Sequence, residues 1–375
     1  MTDSDRSVLL AAGGTGGHLF PAFALAQELA RRRIAVDLVT DMRGDRYGTG
    51  FPARHVYQVP SATLGQRSPV AVARTAATLV RGAFAAWRLL RRLRPDAVVG
   101  FGGYPTFPPL IAARMLGIPA ALHEQNAVLG RANRMLAKGV TAIATSFERT
   151  KSLDGPLRAK ARLTGNPVRD SVIHAARLPF RAPEPGGPFV LVAFGGSQGA
   201  RFFSDTVPPA LAALGGELRS RLVVSQQARE EDVDRVKTAF QAAGIKAEVA
   251  AFFKDLPQRM ALSHLVIARA GASSVAELAV IGRPSILVPL PHSLDNDQLE
   301  NATNLAESGG SWCIEQRDFS PKRLAREIER LAGDPAALAR AAEAAKEQGR
   351  AEAVGRLADL VEELIAGRDG RASGA

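Results

Sequence analysis

One cysteine, Cys313, stands in 375 residues. A single thiol excludes an internal disulfide and suits a reducing compartment. Long apolar runs are also missing: none reaches the roughly 18 to 20 residues that span a bilayer. The opening MTDSDRSVLL is acidic and lacks the charged-then-apolar pattern of a secretory leader, so a cytoplasmic chain is expected. Aromatic residues are 6% of the chain and rarely interleave with basic ones. With no nucleic-acid-binding module visible either, a nucleic-acid partner is not expected. No Gly-x-x-x-x-Gly-Lys-Ser/Thr phosphate loop occurs.

Apolar content of 46% supports real cores, and the length fits two α/β domains or one large one. Formal net charge is +11, and it is uneven. Residues 1–168 carry 23 Lys and Arg against 10 Asp and Glu, whereas the remainder carries 25 against 27. A basic first half beside a near-neutral second half points to an anionic surface or ligand for the first.

The first half alternates short Val/Ile/Leu/Ala runs with helical patterns. Strands are expected at 8–12, 35–40, 56–59, 97–101, 119–122 and 141–144. Such alternation predicts a doubly wound parallel sheet with helices on both faces. The pattern changes near residue 165, and LPFRAPEPGGP (178–188) holds too much proline and glycine for a regular element, so it reads as a linker. A second cycle starts at FVLVAFGGSQGAR (189–201), with strands expected at 221–225, 247–250, 264–267, 285–288 and 312–315. The tail from 320 to 366 reads as helical, and the final GRDGRASGA as frayed. Ligands of open parallel sheets bind beyond the carboxyl ends of strands, so residues following the apolar runs are the candidates.

VLLAAGGTGGHLF reads as strand, glycine turn, helix. Its bare backbone N–H groups suit an anion at a helix start, and His18 stands at the rim. The plainer reading is a tight turn with a surface histidine. The third glycine of the dinucleotide fingerprint is missing, although Asp41 follows the second strand and keeps a nicotinamide enzyme open. Ser274 and Glu277 in RAGASSVAE have capping-box spacing, and Glu277 is equally a candidate to grip a ribose diol. Asp295-Asn296-Asp297 is a candidate metal pair. Arg169 and Arg269 could neutralise a diphosphate without metal, or form surface ion pairs. In residues 67–94, Arg67, Arg74, Arg81 and Arg88 recur every seven positions and form one stripe, opposite Val72, Ala76, Leu79, Ala83, Trp87 and Leu90. That pattern fits either a core-packed helix with a solvated face or a membrane-surface helix with Phe84 at its border.

Taken together, GGTGGH, GFGGYPTFPP, HEQN, GNPVR, FGGSQGAR, RAGASSVAE and DQLENA, in this order from about residue 8 to 345, closely resemble the MurG family. These are the UDP-N-acetylglucosamine (UDP-GlcNAc) transferases that convert lipid I to lipid II in peptidoglycan synthesis. The resemblance implies a GT-B fold, two Rossmann-like domains facing across a cleft. Residues 1–170 would bind the acceptor and the membrane, residues 171–345 would bind UDP-GlcNAc, and a C-terminal helix in 346–375 would cross back to the first domain. Donor contacts would come from Arg169, Ser197, Phe253 (main chain to uracil), Ser273, Ser274, Glu277 (ribose) and Gln298 (sugar). Thr15, Gly16, Gly17 and Asn126 would close over the donor from the first domain. Family members often carry two glutamines where this chain has Asp297-Gln298. No cofactor is implied. The partners would be lipid I, the anionic cytoplasmic face of the inner membrane as a peripheral site, and other cell-wall synthesis proteins.

On that reading the acceptor hydroxyl displaces UDP from the opposite face and inverts the anomeric centre. His18 is the favoured base, because a helix N-terminus disfavours imidazolium. Glu124 is the second candidate. A UDP-GlcNAc 2-epimerase of the same fold, a nicotinamide oxidoreductase and a non-catalytic membrane-binding protein are the rival expectations.

Overall fold

The computed structural model describes residues 6–13, 16–41, 50–61, 69–196 and 201–372. The chain divides into two compact units, one of residues 1–169 with 351–375 and one of residues 170–350.

The first unit holds a seven-stranded sheet in the order β3-β2-β1-β4-β5-β6-β7, every pairing parallel. Its strands are β1 (Ser7–Ala11), β2 (Ala35–Thr40), β3 (Val56–Gln58), β4 (Ala97–Gly100), β5 (Ala120–Glu124), β6 (Ala142–Thr145) and β7 (Ala161–Leu163). Both faces of a parallel sheet are covered, so its strands read as unbroken apolar runs. β1 shows why: Val8 and Leu10 enter one core with Leu25, Leu29 and Val361. Leu9 and Ala11 enter the other core with Ala86, Leu90 and Leu110. β7 was not expected, because its three residues lie at a half-exposed edge without an apolar run.

The helix Ala353–Ala372 belongs to the first unit. Leu357, Val361, Leu364 and Ile365 are buried in its core, at about 1.5–3 kcal/mol of transfer free energy each. Arg32 adds ion pairs of 2.6 Å to Asp359 and Glu362, but Asp359 is 62% exposed, so these contribute only tenths of that. The helix runs past Gly367, where fraying was expected, to Ala372, and Arg368 donates to the carbonyl of Pro95; the rest of that tail lies outside the described residues.

The second unit holds a six-stranded parallel sheet, β10-β9-β8-β11-β12-β13. These are β8 (Phe189–Phe194), β9 (Leu222–Gln227), β10 (Lys246–Ala250), β11 (Leu265–Ala268), β12 (Ser285–Leu287) and β13 (Ser311–Cys313). Leu191 and Ala193 pack with Phe203, Val207, Leu324 and Ile328 on one face.

The segment 178–188 is not a free linker. Arg283, 1% exposed, donates to the carbonyls of Leu178 and Pro179 as well as to those of Ala261, Ile281 and Gly282. Phe180 lies under the same guanidinium at 5.6 Å. Carbonyls and helix C-terminal dipoles stand in for a carboxylate here. Burial still pushes the guanidinium down to about 10.

Candidate active site

In the first sheet the strand order reverses between β1 and β4, the position where open α/β sheets hold ligands. The two strand ends are bonded through their backbones. Phe101 N–H donates to Ala11 O at 2.8 Å and Gly13 N–H to Gly102 O at 3.2 Å. The fully buried Thr106 hydroxyl donates to Gly102 O at 2.7 Å. His18, third residue of the helix Gly16–Arg31, lies across both turns. A Cβ on Gly13 would sit 3.3 Å from its Nδ1, and one on Gly102 3.1 Å from its Nε2. Gly102 has φ +90°, so glycine is needed there both for the backbone and for the ring.

β5 delivers its end beside them. The position of a Gly102 Cβ is also 3.6 Å from Asn133 Nδ2, and that amide donates to Glu124 Oε2 at 2.8 Å. Glu124, 2% exposed, further accepts from Gly130 N at 2.8 Å and from Asn126 N at 3.0 Å and Nδ2 at 3.4 Å. Burial pushes its carboxyl above the ordinary carboxylate range, against the pull of these donors. His123 is fully buried between Gly165 O (Nε2, 3.0 Å) and the Gln125 amide (Nδ1, 2.9 Å). Desolvation lowers it to about 4, so the ring is neutral. Arg169 lies 5.2 Å from the ring of Phe20, on the helix that carries His18.

The first unit therefore brings Gly16, Gly17, His18, Glu124, Asn126 and Arg169 to the β1, β4 and β5 ends of its sheet. Thr15 lies outside the described residues. Sequence reasoning missed Asn133 and Thr106. An asparagine inside a short helix flanked by arginines carries no signal until Glu124, nine residues earlier, is seen to need a donor.

The second sheet reverses between β8 and β11. Ser197, after β8, lies outside the described residues. After β11 the helix Ala272–Ile281 begins at Gly271, which is extended (φ −63°, ψ 144°) and makes no side-chain cap. The Ser274–Glu277 capping box therefore does not form. Ser274 is already the third helical residue, and only a residue at the cap position has the geometry to accept from the first turn. The first-turn N–H groups are thus left without a side-chain cap, as an anion site at a helix start needs. Ser273 Oγ is buried and has no hydrogen-bond partner among the described residues. Glu277 is 7% exposed, one turn further on.

Arg269 is not aimed at a ligand. Its Nη1 donates to Val288 O and Pro289 O at 3.2 Å and its Nη2 to Gln316 Oε1 at 2.5 Å. The guanidinium lies 5.3 and 5.1 Å from the rings of Phe202 and Phe203, and desolvation lowers it to about 10. It fixes the loop after β12 instead. Gln298 follows that loop, its Oε1 accepting from Leu290 N at 3.0 Å. Asp297 receives Gln298 N at 2.7 Å and Ser293, and burial raises its carboxyl. Among the described residues, no three His, Cys, Asp or Glu side chains gather as a metal site. Phe253 follows β10 on the same carboxyl edge, buried, with Arg259 4.3 Å over its ring.

Residues 8–145 match the glycosyltransferase family 28 N-terminal domain and residues 190–357 the family 28 C-terminal domain. A Methylobacterium sp. (strain 4-46) protein is 56% identical over 97% of this chain and 98% of its own. A Rhodopseudomonas palustris (strain BisB18) protein is 55% identical over 94% of each. Both are named UDP-N-acetylglucosamine–N-acetylmuramyl-(pentapeptide) pyrophosphoryl-undecaprenol N-acetylglucosamine transferase. Among solved structures, Acinetobacter baumannii MurG matches with TM-score 0.78 and 27% identity, covering 96% of this chain and 99% of that one. A Neisseria meningitidis UDP-GlcNAc 2-epimerase bound to UDP-GlcNAc shares the fold alone, at TM-score 0.66 and 13% identity over 96% of this chain and 100% of that one. Matched by both family 28 domains and, over more than nine-tenths of its length, by these transferases, the chain belongs to glycosyltransferase family 28, in its MurG group.

Proposed function

We propose that this chain transfers GlcNAc from UDP-GlcNAc to the C4 hydroxyl of the MurNAc sugar in lipid I, with inversion and without a metal. The observation that carries the reaction is identity above half, along nearly the whole length, to proteins named for that transfer. The donor side is assigned to the second unit. The uncapped start of the helix at Gly271 and the unpaired Ser273 hydroxyl suit a diphosphate, with Ser274, Ser197 and Arg169 as further contacts. Glu277 holds the ribose diol, the main chain at Phe253 reads the base, and Gln298 binds the sugar. Charge that builds on the departing β-phosphate is met by N–H dipoles already in place.

The acceptor side is assigned to the first unit, at His18, and Thr15, Gly16, Gly17 and Asn126 are assigned to the donor. As the C4 oxygen attacks the anomeric carbon from the face opposite UDP, the His18 imidazole takes its proton. One displacement turns an α-linked donor into a β-linked product.

The helix Pro69–Leu93 supports a peripheral site on anionic membrane. Arg74, Arg81 and Arg88 are exposed, as are Val80 (69%) and Phe84 (58%). Arg67 and the side chains of Val72 and Ala76 lie outside what is described. Phe84 stacks on Trp87 at 5.9 Å. No helix among the described residues is long and apolar enough to cross a membrane. Cationic side chains beside exposed apolar ones fit lipid phosphates above acyl chains.

The test is radiolabelled UDP-GlcNAc with a short-chain lipid I analogue in EDTA, with product stereochemistry by NMR. A β-linked disaccharide lipid formed at the untreated rate is expected. Release of free sugar or epimer, or loss of turnover restored by a divalent cation, would overturn the reading or its metal-free form respectively.

A further inference from the structure

Glu124 and His18 both lie at the β1, β4 and β5 ends of the first sheet, yet their surroundings differ in kind. A carboxylate offers about four lone-pair positions on its two oxygens. At Glu124 four N–H groups already point at them: Asn126 N and Nδ2 at Oε1, Gly130 N and Asn133 Nδ2 at Oε2, all within 3.4 Å. The group is 2% exposed, and a Cβ on Gly130 would lie 3.5 Å from Oε2. Four donors thus take up the four lone-pair positions. A proton arriving there would have to displace an N–H and leave that donor unpaired in the interior.

We infer that Glu124 is a positioning residue and not the proton acceptor: it closes the loop 125–130 on itself and fixes the Asn133 amide beside the Gly102 turn on which His18 rests.

Three features support the assignment. The helix Arg131–Leu136 starts at Gly130, which supplies no side-chain cap, so Glu124 is the acceptor that anchors its entry. Asn126, whose backbone and side chain both reach Oε1, is the member of this loop assigned to the donor. Because Glu124 takes the Nδ2 of Asn133, the amide can turn in one sense only. The same Nδ2 lies 3.6 Å from the position of a Gly102 Cβ, beside the turn on which His18 rests. The charge of Glu124 is thus used to place neighbours, and the chemistry is left to His18.

The inference rests on the transferase reading, and the test separates the two. Wild type, Glu124→Gln, Asn133→Ala and the double variant are assayed for transfer to a lipid I analogue between pH 5 and 9, with UDP-GlcNAc affinity measured alongside. In Glu124→Gln an NH2 group replaces one oxygen and faces N–H donors that need an acceptor. A drop in kcat of roughly 10- to 100-fold is expected, with the acidic limb of kcat/KM where wild type has it. Asn133→Ala is expected to lower kcat without moving that limb. The double variant should be no worse than the poorer single, because both act through one contact. Were Glu124 the base, Glu124→Gln would erase the acidic limb. Asn133→Ala, by removing a donor from the carboxylate, would then move the limb up by about one pH unit, which decides the matter even if Glu124→Gln does not fold. Either result overturns the inference. Failure of wild type to transfer at all would instead overturn the transferase reading.

Discussion

Gly102→Ala tests whether His18 is held where the reaction needs it. At φ +90° an alanine backbone costs about 1–3 kcal/mol. The new methyl would lie 3.1 Å from His18 Nε2 and 3.2 Å from Cδ2, against ordinary contact to Asn133 Nδ2 at 3.6 Å. The neighbour that must yield is therefore the imidazole. The backbone has little room to move, because Gly102 O receives both Gly13 N–H and Thr106 Oγ. A melting temperature lower by roughly 3–10 °C is expected. A ring displaced by several tenths of an ångström should lower kcat by about 10- to 100-fold. UDP-GlcNAc affinity, proposed to depend mainly on the second unit, should hold. Thermal melts, donor calorimetry and transfer rates measured on one preparation check all three. Wild-type kcat in a folded Gly102→Ala protein would refute the claim that the Gly102 turn positions His18.

Three further outcomes follow from the packing. Arg283→Ala leaves several interior carbonyls without a donor and should destabilise the second unit by about 3–5 kcal/mol in urea unfolding, while Arg283→Lys, which lacks the fork, recovers only part. His123 sets an acid limit. Below about pH 6.5 the unfolded chain protonates this ring, but the folded chain does not until about 4, so stability is lost as pH falls through that interval. Its share is about 2 kcal/mol between pH 7 and 5, and His123→Gln should flatten that slope in urea titrations. Val80→Glu with Phe84→Glu should cut sedimentation with anionic vesicles at least roughly 10-fold, leaving transfer to a short-chain acceptor intact.

The sheets were legible because their strands are buried on both faces and end at glycine turns: β1 into GGTGGH, β4 into GFGGY and β8 into FGGSQ. Roles that depend on long-range partners were not. Arg269 and Arg283 look alike in sequence as isolated cations, yet each proves to be spent on interior carbonyls. Proline at 179, 183, 185 and 188 argued for a free linker, and only Arg283, about a hundred residues on, shows the start of that stretch to be anchored. The Ser274–Glu277 spacing matched a cap, but the helix starts at Gly271, a detail that pattern alone does not settle.

The division of labour between the two units is the central claim, and paired measurements on His18→Ala and Glu277→Ala test it most directly. UDP-GlcNAc affinity and transfer rate should separate: His18→Ala should keep donor Kd within about 3-fold and lose at least roughly 100-fold in kcat. Glu277→Ala should weaken donor binding at least about 10-fold, through loss of a charge-assisted hydrogen bond. Donor affinity that collapses in His18→Ala and survives in Glu277→Ala would contradict the account.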